Sequence, residues 1–109
     1  MDANTFDTFA RDIGDDALTL SSRKRKDYAT GDVLSNFKRM AKVAEIAFKV
    51  DHVLPADVAY FFLLMKLDRM QNLRGREAAN EAVRDSMLDA HNYLNLGMAC
   101  EIEATTPTE

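Results

Sequence analysis

The chain is poor in the residues that staple or interrupt a backbone: its 109 residues include one cysteine, two prolines, four glycines and no tryptophan. The lone cysteine, Cys100, excludes an intrachain disulfide and a cysteine-based zinc cluster, fits a reducing compartment, and reads as a small apolar residue late in a helix. So few breakers argue against a many-turned β fold and for an all-α one. Long apolar runs are missing too. The longest, Val58–Met65, is eight residues, against the roughly 20 needed to span a bilayer. The opening Met1–Phe9 lacks the basic start and apolar centre of a secretory signal. A soluble, cytoplasmic protein without a membrane partner is expected. Excess positive charge is absent as well: a formal net charge of −4 disfavours the basic field of a general nucleic-acid binder, so no direct nucleic-acid binding is expected.

What the chain does have is helical periodicity. Phe6, Phe9, Ile13, Ala17 and Leu20 recur at three- and four-residue steps, predicting an amphipathic helix from near Asn4 or Thr5 into the low twenties. It ends in Arg23-Lys24-Arg25-Lys26, a run that either complements the helix dipole or faces phosphate. Asp27–Asp32 reads as a turn that lifts Tyr28 into a loop. Ser35 is a plausible N-cap for a second helix, about Asn36 to Lys49, with a Phe37, Met40, Ala41, Ala44, Ala47 and Phe48 stripe and a basic remainder that includes Lys38 and Arg39. His52 is expected to be exposed in the following loop. Pro55 and Asp57 suit the first turn of a third helix. Its start is apolar all round, which predicts burial on several sides and points to an interface between copies. Gly75 ends it. A fourth helix runs from near Glu77 or Ala78 to about Ile102, with Val83, Met87, Ala90, Leu94 and Met98 as its apolar set. Residues 1–103 therefore read as one helical domain and 104–109 as a frayed tail.

Chemistry concentrates on the last two helices. Glu81, Asp85, Asp89 and Asn92 share an arc of about 80° at 100° per residue, and Leu88 and Leu96 lie in or beside it. Leucines interleaved with acids argue for a face at least partly covered, where carboxylates need cations, donors or a metal. Helix three offers partners: Lys66 and Arg69 one turn apart, and Asp68 with Asn72 at i,i+4. Two readings stay open, an ion-pair network that sets helix register and a polar pocket with cations for phosphate and carboxylates for a metal, a base edge or a ribose. Neither Cys100, His91 nor Ser86 sits in a nucleophile motif, and there is no Gly-rich phosphate loop.

The ordered set Asp27-Tyr28, Asn36-Phe37, Lys66-x-x-Arg69 with Asn72-Leu73, and Glu81-x-x-x-Asp85-x-x-x-Asp89-x-x-Asn92-Tyr93 resembles the MazG-like, nucleotide-modification-associated proteins common in phage genomes. The resemblance covers roughly Lys26 to Leu96. It implies a four-helix MazG-like bundle completed by oligomerisation, and in the wider superfamily a magnesium-dependent hydrolysis of nucleoside triphosphates. Carried over, Asp85 and Asp89 with Glu81 one turn earlier stand for the metal acids of one helix. The acidic pair of the other helix is missing, and Lys66 and Arg69 stand in its place. Two cations for two anions remove magnesium ligands and add phosphate donors. The resemblance thus favours a homo-oligomer that binds or sequesters a nucleotide, cyclic signalling nucleotides included, without a cofactor. Lys26, Lys66 and Arg69 would meet phosphates, Tyr28 or Phe37 would stack a base, and Asn36, Asn72, Asp85, Asp89 and Asn92 would complete the ligand contacts. The alternatives are a pyrophosphohydrolase with magnesium on Glu81, Asp85 and Asp89, and an interaction module whose charged seam only sets register.

Overall fold

The computed structural model describes residues 1–27, 31–76 and 80–107. The described chain is all-helical, with no strand, in the order α1 (Ala3–Asp27), α2 (Ser35–Phe48), α3 (Pro55–Leu73) and α4 (Asn80–Thr105). No described helix is long and apolar enough to cross a membrane. Tyr28, and the expected start of α4 at Glu77 or Ala78, lie outside the described residues.

Each visible start has a local cause. Asp2 caps α1, its carboxylate accepting the Thr5 N–H at 2.8 Å, a bond that holds the Asp2 carboxyl below its usual value. Ser35 does not cap α2, as the sequence suggested. Leu34 occupies the cap position with no side-chain bond, and is buried in the core instead. Asp32 takes over part of the cap's task by accepting the Leu34 N–H at 3.0 Å and the Lys38 ammonium at 2.7 Å. Pro55 opens α3 as expected, and Asp57 reaches back to accept the Leu54 N–H at 3.3 Å. Beyond α2, Lys49 stops the helix in a left-handed conformation at φ 52°, and His52 is exposed. Helix α4 continues to Thr105, two residues into the stretch expected to fray.

The fold is organised on α3 and α4. Tyr60 meets Glu101, Phe62 meets Tyr93 and Lys66 meets Asp89, so numbers rise on one helix as they fall on the other and the pair is antiparallel. Small residues line its interior: Ala56 and Ala59 from α3, Ser86, Ala90, Gly97 and Cys100 from α4, all buried. This corrects part of the expected apolar stripe of α4, whose Ala90 is buried and whose Val83 and Met87 are half-buried. Leu94 and Met98 are 45% and 50% exposed, because the face that allows the closest approach of the two backbones is the one with small side chains, not the one with large ones. At Gly97 the approach is so close that an added Cβ would overlap the Tyr60 ring. Tyr60 is held in place by donating its hydroxyl to Glu101 at 2.6 Å.

Helix α2 packs on α3, and α1 packs on α4. Leu34 and Phe37 join Ala56, Ala59 and Cys100 in one core cluster, with Phe62, Tyr93 and Leu96 against it. Only the C-terminal half of α1 is engaged. Ala17 is buried, Asp16 pairs with Arg84 and Lys24 with Asp89, whereas residues 1–12 are all exposed, Phe6 and Phe9 included. The apolar start of α3 is likewise covered on one side only within this chain, and Phe61, Leu64, Met65 and Leu67 are exposed.

Two glycines on helices separate propensity from packing. Gly14, where an added Cβ would meet nothing within 4 Å, predicts that Gly14→Ala raises the melting temperature through a helix gain of about 1 kcal/mol. Gly97→Ala is expected to lower it despite the same gain, because the methyl displaces the Tyr60 ring, a strain of about 1–3 kcal/mol. Thermal melts of the two variants side by side check both signs.

Candidate functional site

The C-terminal end of α1, the first turns of α2 and the middles of α3 and α4 enclose a partly open cavity of about 530 Å³, a size typical of small-ligand pockets. Its apolar side is built by Phe37, Met40, Phe62, Tyr93 and Leu96. The three rings meet edge to face or tilted, with centroids 6.4 Å apart for Phe37 with Phe62 and with Tyr93, and 5.4 Å for Phe62 with Tyr93. Its polar side carries Lys24, Arg25, Asn36 and Arg39, so among the described residues every charged side chain lining the cavity is a cation. The chain as a whole has a net charge of −4, so this local excess runs against the overall balance. The cations are positioned locally: Arg25 donates to the Ser21 and Ser22 hydroxyls at 2.8 and 2.9 Å, and Arg39 donates to the Asn36 side-chain oxygen one turn earlier.

Asn36 and Phe37 thus stand where a pocket exists, with a change of role for Phe37. At 7% exposed it is a core residue, and the half-buried Phe62 and Tyr93 present the ring surface instead. Lys26 is exposed on the last turn of α1. Lys66, Arg69 and Asn72 belong to a separate, shallower hollow of about 370 Å³ on α3, with Asp68, Leu73 and Arg76. There Asn72 donates to Asp68 at 3.3 Å, the expected i,i+4 contact. On α4, Glu81 and Asp85 are exposed and Asn92 is half-buried, so only part of the acidic arc is covered, the part where Leu88 is buried and Leu96 half-buried.

Asp89 joins the two hollows. Its side chain is 17% exposed, and its two oxygens accept Lys24 and Lys66, each at 3.1 Å. Burial on its own pushes the carboxyl up; the hydrogen bonds and charges of the two lysines outweigh it and hold the group below the usual carboxylate range. Of the ion pairs expected from sequence, Lys66 with Asp89 forms, while among the described residues none joins Arg69 to Asp85.

A magnesium site does not fit this donor set. Glu81, Asp85 and Asp89 follow one another along a single helix face, Asp89 is turned to two lysines, and among the described residues no group of three or more His, Cys, Asp or Glu side chains is placed to hold a metal ion.

Sequence reasoning missed Arg39, Phe62 and Tyr93 as pocket residues and left Lys24 and Arg25 between two readings. The signals were present, in the basic run of α1, the basic face of α2 and the Asn92-Tyr93 pair. Their convergence depends on how α1 and α2 cross the hairpin.

Asp89 has a lowered pKa, so its stabilising contribution is complete above about pH 4 and disappears as the pH falls through that lowered value. Asp89→Asn is expected to cost about 1 kcal/mol at pH 7, the contribution of charged hydrogen bonds discounted for half-exposed lysines. The gap to wild type closes in acid, and a melting series from pH 7 to 3 measures it. No protein-family model matches this chain, and no curated protein or solved structure matches it either.

Proposed function

We propose that the chain binds a nucleotide or a nucleotide-derived ligand, linear or cyclic, in the cavity between α1, α2 and the hairpin, and holds it without cleaving it. The observation that carries this reading is the pairing of an aromatic wall with a rim whose described charges are all cationic. A base packs on Phe62 and Tyr93, since any base has a face to stack. Phosphates meet Lys24, Arg25 and Arg39, and the Asn36 amide serves a base or ribose edge. The resemblance to MazG-like phage proteins supports the same ligand class. This reading assigns the phosphate contacts to α1 and α2 in place of Lys66 and Arg69, with Lys66 a neighbour joined to the site through Asp89. All the described residues that line the cavity come from one chain, which places the proposed ligand between helices of that chain. A phage-encoded protein of this kind would act by withholding a nucleotide signal from its host.

One observation favours a second reading. The Lys24–Asp89–Lys66 bridge ties α1, α3 and α4 together, as a seam that sets helix register would, and a pure interaction module needs nothing more. The pyrophosphohydrolase alternative draws no comparable support from Glu81, Asp85 and Asp89.

Thermal shift with a panel of linear and cyclic nucleotides separates these. Binding predicts that at least one raises the melting temperature, and that Arg25→Ala and Arg39→Ala each weaken its affinity about tenfold, or roughly 1.4 kcal/mol, with the cooperative melt retained. Mass spectrometry after denaturation is expected to return the ligand intact. Phosphate or pyrophosphate release that vanishes in Asp85→Asn favours the hydrolase instead, and no shift with any nucleotide overturns the binding reading and supports the interaction module.

A further inference from the structure

The three cations at the cavity rim are not equally free to hold an anion. Arg25 is steadied by the Ser21 and Ser22 hydroxyls and Arg39 by the Asn36 side-chain oxygen. These acceptors are neutral, and among the described residues no acid pairs with either guanidinium. Lys24 differs. Its ammonium lies 3.1 Å from Asp89, and the same carboxylate takes Lys66 from the neighbouring hollow at the same distance. A neutral acceptor orients a cation and leaves its charge for an incoming anion, whereas a carboxylate already matches that charge.

Asp89 stands close enough to the ligand's place to act on it. It precedes Tyr93 by one turn on α4, so both side chains share the helix face that brings this ring to the cavity wall. Lys24 itself lines the cavity. The Asp89 side chain is 17% exposed, so water and salt screen its charge weakly. Asp85 and Glu81, one and two turns earlier on the same helix, are exposed and act over a short range.

We infer that Asp89 sets the charge of the ligand the cavity accepts: with Lys24 already matched, Arg25 and Arg39 form a two-cation clamp that selects a nucleotide of about two negative charges over a triphosphate. This deepens the nucleotide reading of the same cavity and rests on it. A single terminal phosphate carries about −1.5 to −2 charges at neutral pH, and two phosphodiester groups carry a similar total. Either suits a pair of guanidinium forks, each of which takes phosphate oxygens through two parallel hydrogen bonds. A triphosphate brings further anionic groups. Only Lys24 is left at the rim to meet them, and the Asp89 carboxylate stands 3.1 Å behind its ammonium, where like charges in a weakly screened site repel. The same carboxylate ties α1 to α3 and α4, so its loss changes stability as well as ligand choice. Only the choice between ligands reads its charge.

Titration calorimetry of the full chain tests it, with the mono- and triphosphates of the common ribonucleosides and cyclic dinucleotides of the same bases. Magnesium is left out because it would mask phosphate charge. The wild type is expected to bind a monophosphate or a cyclic dinucleotide about tenfold more tightly than the triphosphate of the same base. Asp89→Asn keeps the shape and unmasks Lys24, and is expected to raise triphosphate affinity about tenfold and erase the preference. Asp16→Asn removes the second α1–α4 ion pair among the described residues and is expected to leave the ranking as it is. A triphosphate that binds the wild type at least as tightly as both two-charge ligands overturns the inference and leaves nucleotide binding standing. So does an Asp89→Asn variant whose affinities stay unchanged or fall in parallel, the mark of a structural role. If no nucleotide binds, the inference and the reading beneath it fall together. Should Asp89→Asn not fold, the wild-type ranking decides.

Discussion

The close approach of α3 and α4 is the constraint on which the rest of the structure depends. Ala56, Ala59, Ser86, Ala90, Gly97 and Cys100 are buried, and none is large enough to hold two backbones apart. Tyr60 lies against Gly97, where a single methyl has no room. A seam of small residues contributes many close van der Waals contacts and little apolar area, so the hairpin gains tightness at the expense of hydrophobic burial. Two consequences follow from that exchange. Larger side chains are pushed to the flanks, and one flank is capped by Leu34 and Phe37 of α2 while Leu64, Leu67, Leu94 and Met98 stay exposed.

The same geometry creates the cavity. The ring triad draws Phe37, Phe62 and Tyr93 from three different helices, and α1, tied to the N-terminal half of α4 by Asp16–Arg84 and Lys24–Asp89, brings Lys24 and Arg25 of its last turn to the same cavity. Asp89 stands at the crossing, drawn into the protein while Glu81 and Asp85 of the same arc stay exposed, because two lysines from α1 and α3 compensate its burial. Its role in the fold and its nearness to the pocket are therefore the same fact: the carboxylate that registers three helices also holds Lys24 at the cavity rim.

Much of this was legible in the residue order. Helical periodicity, Pro55 with Asp57, and the basic end of α1 predicted four helices to within a few residues. Spacing and charge pointed to the Asp68–Asn72 contact and to an ion-pair network of Lys66 and Arg69 with Asp85 and Asp89, of which the Lys66–Asp89 pair forms and, among the described residues, no pair of Arg69 with Asp85 does. Other features were misread for a common reason. Ser35 looked like a cap because hydroxyls favour that position, but the burial of Leu34 and the side chain of Asp32 met the same need differently. The apolar stripe of α4 was placed on Val83, Met87, Ala90, Leu94 and Met98, of which only Ala90 is buried, while Ser86, Leu88, Gly97 and Cys100 are buried outside it.

By itself, then, the sequence determined the local elements, since caps, breakers and periodicity act within a few residues and need no distant partner. It also determined the chemical inventory, a basic run, an acidic helix face and rings spaced along three helices. Only the tertiary structure decided which face of α4 is inside, because helix–helix distance is set jointly by both partners at the seam. It alone decided that Lys24, Arg25 and Arg39 share a rim over Phe62 and Tyr93 while Lys66 and Arg69 do not, since that grouping depends on the crossing of α1 and α2 over the hairpin, a property of the packed helices and not of any one of them.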